Sequence, residues 1–73
     1  EPFALAVLHY FAANPGDKVR YAANVLEVDA RLVNQALFGP LKGICTQDDR
    51  YGWHLTGAAQ RELEAFETQA EKS

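Results

Sequence analysis

Residues 19–37 read VRYAANVLEVDARLVNQAL, and this stretch decides the fold. Val19, Ala22, Ala23 and Leu26 fall at i, i+3, i+4 and i+7, which is one apolar face of a helix, while Lys18, Arg20 and Asn24 fall outside it. Glu27 and Val28 lead into Asp29, a capping residue whose carboxylate can accept the free amides of a new first turn. Leu32, Val33, Ala36 and Leu37 form the inward stripe of that next helix. Arg31, Asn34, Gln35 and Phe38 take the opposite side at helical spacing. A gap of only about three residues between two such helices forms a helix-turn-helix corner.

Upstream, Pro2 stands where a first-turn proline is tolerated, and Ala4, Val7, Leu8 and Phe11 recur at helical spacing until Asn14-Pro15-Gly16 stops the run. Asp17 is expected to cap the second helix. Downstream, Pro40 has no N–H to offer Ala36, so the third helix is expected to kink or stop at Gly39-Pro40. Residues 44–47 and 53–56 suit short strands, with the polar residues 48–52 as a hairpin tip. Thr56 can cap a last helix in which Ala59, Leu63, Phe66 and Ala70 share one face, and fraying is expected over 69–73. The expectation is a mostly helical α+β domain in the order helix, helix, helix, strand, strand, helix. It fills 1–73 as a single unit, without repeats or linkers.

Composition bounds the function. Hydrophobic residues are 48% of the chain and charged residues 23%, ordinary globular usage. A single cysteine, Cys45, rules out an internal disulfide or a cysteine-built zinc site and favours a reducing compartment, so a cytoplasmic, nucleoid or nuclear-associated location is expected. The longest apolar run, residues 3–13, is too short to span a bilayer. With Glu1 first and no methionine anywhere, the chain reads as a domain excised from a longer protein. No phosphate loop, nucleophile elbow, metal motif or cofactor fingerprint occurs, so neither catalysis nor a cofactor is expected. The net charge is −3. Four acids and two bases lie from Gln60 onward, which leaves six acids and five bases in the body, a near-neutral −1.

The residues Val19, Ala22, Ala23, Leu26, Val28, Leu32, Val33, Ala36 and Leu37, followed by Gly43-Ile44 and Trp53-His54-Leu55-Thr56, resemble the winged helix-turn-helix superfamily of DNA-binding domains. The likeness covers most of the chain and consists of core positions. It departs from the family where Pro40 stands in place of a common leucine and Gly43 comes one residue early. A narrower likeness is to the Z-alpha subgroup, with Asn34, Phe38 and Trp53 at matching places. The subgroup's helix-three lysine is here Ala30, its wing prolines are absent and Phe38 lacks a hydroxyl.

The resemblance implies a double-stranded DNA partner, in a transcriptional regulator or the targeting domain of a nucleic-acid-processing protein. Arg31, Asn34, Gln35 and Phe38 would then face a groove, with Asn34 and Gln35 offering amide pairs to adenine. Lys18, Lys42 and Arg50 would hold the backbone, and Tyr51 would reach sugar or phosphate. The same polar residues also suit an ordinary solvated face, with Trp53 packed inward and Cys45 an inert strand residue. The alternative is a protein-interaction or self-associating winged helix that uses the acidic last helix or a patch around Phe38.

Overall fold

The computed structural model describes residues 2–72, with side chains described through residue 69. Its elements are α1 (Pro2–Ala13), α2 (Val19–Leu26), α3 (Ala30–Phe38), β1 (Cys45–Gln47), β2 (Trp53–Leu55) and α4 (Gly57–Lys72). The order expected from the sequence is the one observed: four helices and a two-stranded antiparallel sheet, mostly helical. Cys45 pairs with Leu55, Thr46 with His54 and Gln47 with Trp53. No described helix is long and apolar enough to cross a membrane.

The apolar stripes of the first three helices meet in one core. Phe11, Leu37, Val7 and Val33 are its largest fully buried side chains. Ala22 and Ala23 let α2 lie close on α3, and Leu41, Cys45 and Trp53 close the core from the hairpin side. Burying each large apolar side chain contributes roughly 1.5–3 kcal/mol. Burial also raises the pKa of the Cys45 thiol, which keeps it in the unreactive protonated form.

The turn between α2 and α3 is tight because Glu27 takes the left-handed conformation, φ 58° and ψ 46°. This lets Val28 N donate to Ala23 O at 3.0 Å and close α2. Asp29 then caps α3 by accepting Arg31 N at 2.8 Å. α3 stops at Phe38, and the amide of Leu41 takes the Ala36 carbonyl that Pro40 cannot reach. Thr56 caps α4, its Oγ1 accepting from Ala59 N.

Three expectations are corrected. Asp17 does not cap α2: the cap position belongs to Lys18, in extended conformation and without a side-chain bond. Asp17 instead accepts the Tyr10 hydroxyl, and its backbone pairs with Trp53. Burial, then the Asp17 carboxylate, pushes the Tyr10 pKa up to about 12. Leu32, expected inward, is 45% exposed, because Val33, Ala36 and Leu37 already fill the contact with α1 and α2. Phe66 is 69% exposed because α4 rests on the body only through its first turns, where Ala59 and Leu63 are half-buried. The side chain of Ala70 lies outside the described residues, and over the described part of 69–73, where fraying is expected, α4 continues as helix to Lys72.

The hairpin is tied to the α1–α2 turn by backbone bonds: Gly16 N donates to Trp53 O and Trp53 N to Asp17 O, both 2.9 Å. The approach is so close that a Cβ on Gly52 would lie 2.2 Å from Gly16 O. Gly43, by contrast, has φ 82° and open space around its Cβ position. We expect Gly52→Ala to cost about 3 kcal/mol, the upper end of overpacking losses, because backbone must move. Gly43→Ala, which meets only the left-handed penalty, should cost about 1 kcal/mol. Urea denaturation of the two variants checks the order, which a larger loss at Gly43 would contradict.

Candidate nucleic-acid interface

The start of α2, the outer face of α3 and the hairpin surround an open recess of about 330 Å³. Lys18, Val19, Arg20, Asn34, Gln47 and Tyr51 line it. Each comes from a different local rule. Lys18 sits at the uncapped first turn of α2, with Arg20 two residues on. Asn34 points outward from α3 because Val33 and Leu37 take the inward positions. Gln47 closes β1, where its Nε2 donates to Tyr51 O at 3.4 Å.

Tyr51 owes its place to the hairpin tip. Asp48 N donates to Gly52 O at 2.8 Å, and the Asp48 carboxylate accepts Arg50 N at 2.8 Å and Gly52 N at 2.9 Å. Closing so short a loop requires one left-handed residue, and here it is Tyr51, with φ 65°. The residue as a whole is 72% exposed. A tyrosine in this conformation costs roughly 1–2 kcal/mol relative to a favoured one, which glycine would avoid.

Three acids on this side of the molecule are occupied internally, while Asp49, beside Arg50 at the hairpin tip, is exposed. Asp17 holds Tyr10, and Asp29 both caps α3 and pairs with Arg31 at 3.2 Å. Bonds from the Arg31 amide and then its guanidinium hold the Asp29 pKa below the usual carboxylate value. His54 Nε2 lies 2.7 Å from Asp48 Oδ2; this bond, then the Gly52 and Arg50 amides, lowers the Asp48 pKa. Lys18, Arg20, Lys42 and Arg50 have no ion-pair partner among the described residues. The Arg20 guanidinium is steadied 4.9 Å over the Tyr21 ring, with a 3.1 Å bond to its hydroxyl.

No protein-family model, curated protein or solved structure matches this chain.

Of the residues singled out from sequence, Lys18, Asn34 and Tyr51 converge on the recess, and Arg50 follows at the exposed hairpin tip. Phe38 is 64% exposed and packs edge-on to Trp53, ring centres 5.4 Å apart. It is thus both a packing residue and a surface one. Trp53 is buried, with an Nε1 that has no hydrogen-bond partner among the described residues. Arg31 stands at the start of α3, held by Asp29. Gln35 turns to a separate hollow with Phe3, Leu32, Ala36 and Pro40. Lys42 is exposed in the turn after α3 and does not line the recess.

Arg20 and Gln47 also line the recess, although the sequence pattern does not single them out. Arg20 was visible in the sequence as a base off the apolar face of α2. Nothing local distinguished Gln47, because its position depends on how the hairpin docks.

Acid should weaken the hairpin. A carboxyl whose pKa is lower in the folded chain contributes stability above its unfolded value, near 3.9, which is lost as pH falls through the folded value. We expect Asp48→Asn to lose less stability than the parent between neutral pH and about pH 3, measured by urea denaturation at each pH. Equal losses would show that the Asp48 contacts do not favour the folded state.

Proposed function

We propose that the chain is a winged-helix module that binds double-stranded nucleic acid. α3 meets the groove, and the β1–β2 hairpin acts as the wing along the backbone. The observation that carries this reading is the recess at the meeting of α2, α3 and the hairpin. Two cations, two amides and a phenol converge there, and among the described residues no carboxylate lines it. Bases outside a helix stripe are usually just solvated, but here Lys18 and Arg20 at the start of α2 are met in one concave site by amides and a phenol from α3 and the hairpin, elements distant in sequence, a donor set suited to a polyanion.

The low count of bases sets the character of the binding. With few phosphates neutralised, affinity falls only shallowly with salt and lies in the range of nonspecific association, about 10⁻⁴ to 10⁻⁶ M. Phe38, one turn further along α3 from Asn34, is 64% exposed and offers an apolar contact for a thymine methyl. Trp53 beneath Phe38 reports on this face as the only tryptophan.

The test is titration of the labelled chain with mixed-sequence duplex at low salt. Backbone amides of α3 and the hairpin should shift, and Trp53 fluorescence should change with the same midpoint. Asn34→Ala should keep the fold and weaken binding several-fold. Duplex that leaves α3 and the hairpin unperturbed at high micromolar concentration would overturn the proposal.

A further inference from the structure

We infer that the recess lined by Lys18, Arg20, Asn34, Gln47 and Tyr51 is a phosphate-binding site, and this deepens the duplex-binding reading on which it rests. Its side chains are donors suited to a tetrahedral oxyanion. Lys18 supplies a mobile ammonium and Arg20 a planar guanidinium steadied by Tyr21. Asn34 and Gln47 add amide N–H groups from α3 and β1, and Tyr51 adds a hydroxyl from the opposite rim. At about 330 Å³ the recess admits a phosphate together with several waters, each needing about 30 Å³.

What the recess lacks matters equally. Asp17, next in sequence to Lys18, would cancel its charge, but it is turned away to Tyr10. Asp48, next to Gln47, is turned to His54 and the amides of the hairpin tip. The two cations are thus left without counter-charge where the amides converge. Tyr51 keeps a left-handed backbone that glycine would hold more cheaply, and this sets its phenol on the rim.

A phosphodiester inside a strand and a terminal phosphate monoester present the same oxygens, and experiment separates them. The variant for the test is Lys18→Gln with Arg20→Gln, two exposed positions whose change leaves the core intact. Inorganic phosphate, added against chloride at constant ionic strength, should shift the side-chain amide signals of Asn34 and Gln47 in the parent and not in the variant.

In duplex titrations the variant should bind about tenfold more weakly or worse, as expected for lost bonds to a charged group. The slope of log affinity against log salt should fall by about 1. Covalently closed duplex binding as well as linear duplex identifies the internal diester. Binding only to linear duplex with terminal phosphates identifies the monoester. An unchanged affinity and slope in the variant, or amide signals indifferent to millimolar phosphate, would overturn the inference even where duplex still binds. Phosphate-dependent shifts without duplex binding would uphold the site and overturn the duplex reading instead.

Discussion

Two backbone hydrogen bonds, Gly16 N to Trp53 O and Trp53 N to Asp17 O, hold the rest of the molecule in place. They join the turn after α1 to the second hairpin strand, segments almost forty residues apart, and lock Trp53 into the core beside Phe11 and Leu37. A hairpin of two three-residue strands has little stability of its own. Docked on the α1–α2 turn, it gains a third backbone partner and an apolar floor. The closeness of that docking leaves no room for a side chain at residue 52, so Gly52 is as much a part of the joint as the bonds themselves.

The same joint creates the polar recess. Because β2 is pinned to the residues just before α2, Gln47 and Tyr51 are carried up to the first turn of α2 and the outer side of α3. Formal charge is a poor guide to such a surface. The body of the chain is nearly neutral, but Asp17, Asp29 and Asp48 are spent on a tyrosine, a helix cap and a hairpin tip. Lys18, Arg20 and Arg50 are left facing solvent on the recess side. On the proposed reading, a polyanion would meet this local distribution, in which the exposed Asp49 offsets Arg50 at the hairpin tip, and not the net value.

A chain of this size cannot bury every apolar stripe it carries. α3 is covered by α1 and α2 on one side, which leaves Leu32 at the edge. α4 has β2, the base of the hairpin and one side of α1 beneath its first turns, and Phe66 lies beyond them, exposed. Periodicity marks which residues share a face. It does not show how many neighbouring elements are available to cover that face.

The sequence by itself determined the elements and their order. Apolar spacing, Asp29 and Thr56 as caps, Pro40 as a stop and the polar tip 48–52 all act within a few residues, and local chemistry is legible there. It also determined that Asn34 faces out and Val33 in. Tertiary structure decided the rest. Asp17 looked like a cap until a tyrosine seven residues back claimed its carboxylate. Gln47 and Arg20 became recess residues, and Gln35 and Lys42 did not, only when the hairpin was placed. The recess is made by contacts between residues distant in the chain, and no short-range rule encodes which side chains such contacts bring together.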